Sequence, residues 1–338
     1  MARYLLIGLG LLALLLFQFS KASTEEEIEF YNGVNFVSTG TVQKTSDCFK
    51  PLEKISANSV AIVPFCYGKE KTGELTTNPS WQWWGESPKG VKKLIELAQS
   101  ENLKVMLKPQ VWFGHNTFTG HVKFDQEEKW NRFFSAYKSY ILEYAKMCEE
   151  KSVDIFCIST ELGAMIKEKP IFWTDLISSV KSIYKGKITY AANWDNYDEV
   201  PFWKELDFIG VDAYFPVSES KTPTAAEVNE GWQTQITDLR LCSEKWKKNV
   251  LFCEYGFRSV DYAAKEPWNA GSETKGVNLQ AQSNSYEGTY NSVWKEDFMA
   301  GGFLWKWYPS HEKSGGEEDN RFTPQNKPAE KIIKSFYD

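Results

Sequence analysis

The amino-acid sequence predicts a single α/β domain, a (β/α)8 TIM barrel, and three observations lead to this fold class. Eight short apolar runs typical of buried strands alternate along the 338 residues with segments of helical character. Strict alternation is typical of a parallel sheet, and eight units fit one barrel of this length. No linker rich in Pro, Gly or Ser divides the chain. No Gly-rich phosphate loop follows the first strand, which argues against an open doubly wound sheet.

Local signals place the elements in order. Pro88 after Ser87 indicates the first turn of a helix with a serine N-cap. Asp125 and Glu128 indicate a capping box at the start of a long helix. Pro64 lies near the end of the second strand, where pairing can loosen. The predicted strands cover 33–37, 59–67, 104–112, 153–161, 187–193, 206–215, 250–254 and 301–307, and the predicted helices cover 47–57, 88–101, 125–151, 170–184, 201–205, 223–248, 277–296 and 327–337.

The N-terminus has the pattern of a secretory signal. Arg3 precedes an apolar run over residues 4–17, and Ser20 and Ala22 provide a small-residue cleavage site. The run is short for a membrane-spanning helix, and an uncleaved anchor is the alternative. We therefore expect a signal peptide at 1–22, a flexible leader at 23–29 and the barrel at 30–338. The mature protein is expected to be secreted or periplasmic, without stable membrane association after cleavage.

The charge balance bounds the possible partners. The chain carries 39 basic and 45 acidic residues, a net charge of −6. Removal of residues 1–22 takes away Arg3 and Lys21 and no acid, which leaves 37 − 45 = −8. There is no basic patch, so we expect no nucleic-acid partner.

The cysteines and histidines give no metal signature. The six cysteines can form disulfides after export or remain buried thiols, and their spacing does not suggest a zinc site. His115 and His121 lie six apart in a loop, and the acidic stretch 315–320 is typical of a solvated turn. We expect no metal, no cofactor and a monomeric protein.

Two predicted strands end in a similar way. Residues 153–163 (VDIFCISTELG) and 250–256 (VLFCEYG) each combine an apolar run with a glutamate and, two positions later, a glycine. The glutamates, Glu161 and Glu254, would lie at the C-terminal ends of the fourth and seventh strands, where barrel enzymes have their active sites. Two converging carboxyls can cleave a glycosidic bond, one as proton donor and the other as nucleophile, when they lie about 5–5.5 Å apart. A purely structural alternative is that each glutamate pairs with a barrel cation such as Lys108 or Arg258.

Several further segments make the sequence resemble a known family. The segments are Asn193-Trp194, 202–216 (FWKELDFIGVDAYFP), 254–258 (EYGFR) and 304–307 (LWKW). With glutamates on the fourth and seventh strands, they resemble glycoside hydrolase family 113, the β-mannanases of the retaining clan A. The similarity spans essentially the whole mature chain, and its most specific pieces are 202–216 and 254–258.

The resemblance implies roles for individual residues. Glu161 would be the general acid/base, Glu254 the nucleophile, Tyr214 a hydrogen-bond donor to the nucleophile, and Trp305 a sugar platform. One position departs from the clan, since Thr160 stands where an asparagine usually holds the sugar 2-hydroxyl. A different partner for that hydroxyl is therefore expected.

Strand parity and strand ends suggest which other side chains reach the substrate. Asp212 and Tyr214 share one face of the sixth strand, and Trp305 and Trp307 share one face of the eighth. The 14 tryptophans exceed the needs of a core of this size, so some are expected to be exposed platforms. The cluster Trp81, Trp83 and Trp84 could form a distal subsite or pack on the surface. The candidate substrate-binding residues are Tyr214, Trp305, Asn193, Trp194, Trp112, Lys108 and Asp212.

The sequence thus predicts a retaining endo-β-1,4-mannanase acting on mannan, glucomannan or galactomannan. Two alternatives stay open. The first is another clan A β-glycosidase acting on β-glucan, galactan or xylan. The second is a non-catalytic glycan-binding barrel.

Overall fold

The computed structural model describes residues 29–37, 40, 44–271 and 276–338. The predicted signal peptide and all but Glu29 of the predicted leader lie outside the described residues. Residues 31–338 form one compact unit. Among the described residues, no helix is both long and apolar enough to traverse a bilayer.

The predicted barrel is confirmed. Eight parallel strands close in the order β1, β2, β5, β7, β8, β9, β10 and β11, and β11 pairs back onto β1. In chain order the strands are β1 Tyr31–Phe36, β2 Ser59–Ile62, β3 Phe65–Lys69, β4 Glu74–Thr76, β5 Lys104–Leu107, β6 Gln110–Trp112, β7 Ile155–Thr160, β8 Lys187–Asn193, β9 Ile209–Asp212, β10 Val250–Tyr255 and β11 Met299–Trp307.

Helices cover the outside of the barrel. They are α1 Pro88–Ser100, α2 Glu127–Glu150, α3 Gly163–Glu168, α4 Pro170–Ile183, α5 Ala225–Trp246, α6 Leu279–Asn291 and α7 Pro328–Tyr337. Short 3-10 turns occupy Ser46–Cys48, Lys50–Ile55, Trp84–Glu86, Thr119–His121, Tyr197–Glu199, Trp203–Glu205, Val293–Lys295 and His311–Lys313. Apolar side chains from seven of the barrel strands, with Phe208 just before β9, form one buried cluster inside the barrel.

Two sequence predictions about helices are corrected. The predicted helix 47–57 is a pair of 3-10 turns, because Pro51 lacks the N–H that an α-helix starting at Asp47 would use at its fifth residue. The predicted capping box at Asp125 is absent. The helix α2 follows Gln126 without a side-chain cap, and Asp125 pairs with Lys129 at 2.7 Å instead.

The predicted second and third strands each split in two. The barrel strands β2 and β5 end at Ile62 and Leu107, and the chain then continues into β3 and β6, which pair with each other in parallel. Hydrogen bonds from Lys108 N to Ile62 O and from Gln110 N to Pro64 O link the two breaks at the same level. The strand β4 adds an antiparallel edge, so β4, β3 and β6 form a separate three-stranded sheet beside the barrel mouth.

Candidate active site

Both glutamates lie at the C-terminal rim of the barrel. Glu161 follows the last residue of β7, which is the fourth barrel strand, and Glu254 lies in β10, the seventh. Glu161 has a φ of +51°, a left-handed conformation that is uncommon for a residue with a side chain. Its N–H donates to the carbonyl of Ala191 at 2.8 Å, which fixes the turn that leads into α3.

The glycine that follows each glutamate serves close packing. A Cβ atom at Gly256 would lie 2.5 Å from the backbone carbonyl oxygen of Trp305, so only glycine lets β11 approach at this level. A Cβ atom at Gly163 would lie 3.0 Å from the side-chain amide nitrogen of Asn196. The shared pattern in the sequence thus marks two places where a neighbouring element comes close to the rim.

Three donors hold the carboxylate of Glu254. The ammonium of Lys108 and the amide of Gln110 both donate to Oε1, the amide at 2.8 Å. The hydroxyl of Tyr214 donates to Oε2 at 2.7 Å. Burial, followed by the charge of Glu254, raises the pKa of Tyr214 well above its ordinary value, so this hydroxyl keeps its proton. Glu254 is therefore fixed in orientation by one charged donor and two neutral donors.

Lys108 and Asp212 form the floor beneath Glu254. Neither side chain has exposed surface, and the Lys108 ammonium lies 3.5 Å from Oδ1 of Asp212. Burial alone would lower the pKa of Lys108, but the charges of Asp212 and Glu254 raise it above its ordinary value. Burial, with the charge of Glu254, raises the pKa of Asp212 well above normal. Both side chains are enclosed in this structure, and their contact with substrate stays a prediction.

Glu161 has a different environment from Glu254. Burial first, and then the negative charge of Glu254, raise the pKa of Glu161 to about 8. Lys108 opposes this shift and Asp195 adds to it, so Glu161 lies within electrostatic reach of the whole cluster. At neutral pH Glu161 is protonated, whereas three donors surround Glu254. The two carboxyls therefore differ as the proton donor and the nucleophile of glycoside cleavage must.

The other predicted substrate-binding residues surround this pair. Asn193 ends β8 opposite Asp212, and its amide donates to Asp195 at 2.8 Å. Trp305 is partly exposed in β11, with the Lys108 ammonium 5.9 Å from its ring centre. Trp194 is partly exposed and stacks on Trp268 with ring centres 5.0 Å apart.

The aromatic side chains of the outer strands do not all behave as predicted. Trp112 ends β6 on the small sheet rather than on a barrel strand, and its side chain is 40% exposed. Trp307 does not share the environment of Trp305. The register of β11 against β1 shifts near this point, and Trp307 is fully buried beside His311.

Sequence reasoning missed Gln110 and the influence of Asp195. Gln110 was assigned to the interior of one long strand, whereas the break after Leu107 turns its amide toward Glu254. Pro109 was the available signal for that break. Asp195 lies in the loop after β8, where it receives the Asn193 amide and helps to raise the pKa of Glu161.

The remaining sequence signals have structural explanations. The structural alternative for the glutamates is realised once, since Lys108 does pair with Glu254. Arg258 donates to the backbone carbonyls of Gly271 and Asn320 and so ties two loops together. Asp319 of the acidic stretch pairs with Lys327 at 3.0 Å.

All six cysteines are free and buried. In the described ranges no group of three or more His, Cys, Asp or Glu side chains could hold a metal ion.

Thr160 is buried next to Glu161. It is 7% exposed, and its hydroxyl oxygen has no hydrogen-bond partner within the described part of the chain. Thr160 is the last residue of β7, so this unpaired hydroxyl belongs to the residue directly before Glu161.

Comparisons with known proteins identify the family of the chain. The model of glycoside hydrolase family 113 matches residues 40–327, which is most of the chain. The structure resembles the GH113 β-mannanase AaManA from Alicyclobacillus acidocaldarius in complex with ManMIm. The sequences are 24% identical, the alignment covers 92% of this chain and 98% of that one, and the TM-score is 0.78. A second GH113 β-1,4-mannanase is 24% identical with 91% and 99% covered and a TM-score of 0.79.

More distant barrels share only the fold. A β-glucuronidase from Ruminococcus gnavus is 12% identical, with 92% of this chain and 50% of that chain covered and a TM-score of 0.63. No match was found among curated proteins. The family match confirms the family that the sequence motifs resemble, and the similar structures confirm the predicted barrel. The chain is a glycoside hydrolase and belongs to glycoside hydrolase family 113.

Proposed function

We propose that the protein is a retaining endo-β-1,4-mannanase that hydrolyses mannan, glucomannan or galactomannan by double displacement. In the first step Glu161 donates its proton to the glycosidic oxygen while Glu254 attacks the anomeric carbon, which releases one product and leaves a glycosyl ester on Glu254. In the second step Glu161, now ionised, removes a proton from water, and this water displaces Glu254 from the sugar. The second product leaves with its original anomeric configuration.

The observation that carries this proposal is the difference between the two carboxyls. The pKa of Glu161 is raised to about 8, chiefly by burial and then by Glu254, so Glu161 holds a proton to donate. Lys108, Gln110 and Tyr214 all donate to the carboxyl oxygens of Glu254, which orients that group for attack. Trp305, Trp194 and Trp112 would support the sugars, and Asn193 at the end of β8 would bind a hydroxyl.

The choice of mannan is supported by family membership and by similar structures described as β-mannanases. The proposal includes export, which is supported by the composition of residues 1–22. It also includes action as a monomer without a cofactor, since the two carboxyls supply the acid and the nucleophile.

Hydrolysis assays with a small panel test the proposal. Wild-type protein is incubated with mannan, glucomannan, galactomannan, β-glucan, galactan and xylan, and the initial anomer of each product is followed by NMR. We expect oligosaccharides from the mannans, first as the β-anomer. Glu161→Gln and Glu254→Ala should each lower the rate at least about 1,000-fold, because each removes a group needed in a chemical step.

The other outcomes of this panel are equally informative. Release from β-glucan, galactan or xylan alone would replace the substrate class while keeping the mechanism. Binding without release would favour the non-catalytic barrel. Near-normal activity of both variants would remove the assignment of Glu161 and Glu254.

A further inference from the structure

The small sheet presents a row of aromatic rings to solvent. Trp81 is 63% exposed and Trp112 is 40% exposed, although large apolar side chains are ordinarily covered. Tyr67 lies in the central strand β3, where its ring contacts Trp81 and its register partner is Trp112. We call Trp81, Tyr67 and Trp112 the aromatic strip.

Strand register places the members of the strip side by side. Tyr67 is the register partner of Trp112 in the parallel pair β3 and β6. Register partners on neighbouring strands about 4.8 Å apart project from the same face. The ring of Trp81 packs on that of Tyr67, with centroids 4.4 Å apart and planes inclined by 60°. The opposite face of the sheet is the packed one, since Cys66 and Val111 are register partners and both are buried.

The loop that carries Trp81 is anchored. Gln82 is buried, and its amide donates to the carbonyls of Phe65 at 2.6 Å and Glu86 at 3.2 Å. The Tyr67 hydroxyl donates to the Glu86 carboxyl at 3.0 Å. The exposed indole is therefore held in a fixed position, which lowers the entropy cost of binding a ligand there.

The strip is continuous with the catalytic site. Gln110 and Trp112 lie two residues apart in β6 and so share one face of the sheet. The Gln110 amide donates to Glu254, so the face that bears the strip begins at the nucleophile. Lys69 and Glu74 on this face pair with each other at 2.6 Å, which leaves little net charge near the rings.

We propose that the aromatic strip is an extended binding surface for the polysaccharide chain whose cleaved bond lies at Glu161 and Glu254. Sugar C–H faces stack on exposed, immobile rings, and a neutral glycan suits a surface whose charges are paired. This inference rests on the proposed function, because it assigns the strip to the same substrate. It implies that long chains are bound better than short ones, since only long chains reach Trp81.

The test compares long and short substrates. The variants are Trp81→Ala, Trp112→Ala, the double variant, and Trp81→Phe as a conservative rescue. The control is Trp246→Ala, because Trp246 ends α5 just before β10 and so lies at the opposite end of the barrel. The readout is kcat/KM on mannan divided by kcat/KM on β-1,4-mannotriose. We expect the double variant to lower this ratio about tenfold, mainly through KM on the polymer. Trp81→Phe should retain much of the ratio that Trp81→Ala loses.

A binding measurement separates this inference from the proposed function. In the Glu161→Gln background, affinity for mannan, glucan, galactan and xylan is measured with and without the two strip indoles. If another glycan binds and the double variant weakens it, the strip is supported and only the mannan assignment fails. The role of the strip would be overturned if the folded double variant kept both the wild-type ratio of kcat/KM values and the wild-type affinity for glycan. It would also be overturned if Trp246→Ala lost as much as the double variant. Binding of no glycan by the parent would overturn both.

Discussion

At the scale of single residues, Lys108 is the buried cation that pairs with Glu254. Its ammonium is fully buried between Glu254 and Asp212. The attraction to its two partners offsets the cost of removing this cation from water. Without the cation, the two carboxyls lie close together with no opposite charge between them. One of these two carboxyls must then take up a proton, and a protonated Glu254 could not attack the sugar.

We therefore predict that Lys108→Met lowers kcat/KM by about 100-fold near neutral pH. A loss of this size corresponds to one charged hydrogen bond to Glu254. The acidic limb of the pH profile should move to higher pH, because without the ammonium the carboxyls of Asp212 and Glu254 lie together with no cation to offset their charges. Lys187→Met is a matched control, since Lys187 begins β8 at the other end of the barrel. An unshifted acidic limb in Lys108→Met would contradict this role.

Glu161 gives a second prediction, on the pH dependence of activity. Because burial and Glu254 raise the pKa of Glu161 to about 8, the protonated acid is present below that pH. The value of kcat/KM should fall as pH rises through about 8. This alkaline limb should be absent from the residual activity of Glu161→Gln on a substrate whose leaving group needs no proton. Persistence of the limb would assign it to another group.

The same shift predicts a pH-dependent cost in stability. The pKa of the Glu161 carboxyl is 4.5 as an ordinary value and about 8 in the folded protein. Between these values the folded state binds more protons than the unfolded state, so the contribution of Glu161 to stability is lost as pH rises through this window. Glu161→Gln should therefore gain in Tm over wild type progressively from pH 5 to pH 8, whereas the exposed Glu168→Gln should not. A difference that is independent of pH would contradict the assigned shift.

At the scale of elements, the two rim glycines make a matched pair. A methyl group at Gly256 meets the Trp305 backbone carbonyl at 2.5 Å, so β11 must move. A methyl group at Gly163 meets the side chain of Asn196 at 3.0 Å, which can rotate away. We predict that Gly256→Ala costs about 1–3 kcal/mol in the free energy of unfolding and displaces Trp305 enough to lower kcat/KM.

Gly163→Ala should have a clearly smaller effect on both quantities. Chemical denaturation and steady-state kinetics of the two variants provide the comparison. Equal losses would indicate that the close approach of β11 to Gly256 is not what positions Trp305.

The elements also show how far the sequence could be used. The strand 187–193 and the helix that begins at Pro88 after Ser87 were correctly predicted, because alternation and capping are local signals. The strands through Pro64 and Pro109 were predicted as continuous, because their apolar runs do not reveal that both leave the barrel at the same level. That departure depends on pairing between strands distant in the sequence. The pairing of β3 with β6, which aligns Tyr67 with Trp112, was therefore not predictable, although Pro109 marked the break before Gln110.

At the scale of the whole molecule, barrel closure assembles the site. Lys108 follows the third barrel strand, Glu161 the fourth and Tyr214 the sixth, while Glu254 lies in the seventh. The sequence predicted which glutamates would reach the rim, since that follows from strand order. Proximity of two carboxyls predicts that one pKa is raised, but the extent of the rise at Glu161, to about 8, was not predictable, because it depends on the burial that the closed barrel creates.

The central claim is that Glu254 forms a covalent bond with the sugar while Glu161 handles the proton. The most direct measurement is incubation with a 2-fluoro mannoside that has a good leaving group, followed by mass spectrometry of the digested protein. The account predicts one sugar attached to the peptide that contains Glu254 and no attachment in Glu254→Ala. Attachment to Glu161, or turnover of the mannoside with inverted configuration and no labelled peptide, would contradict it.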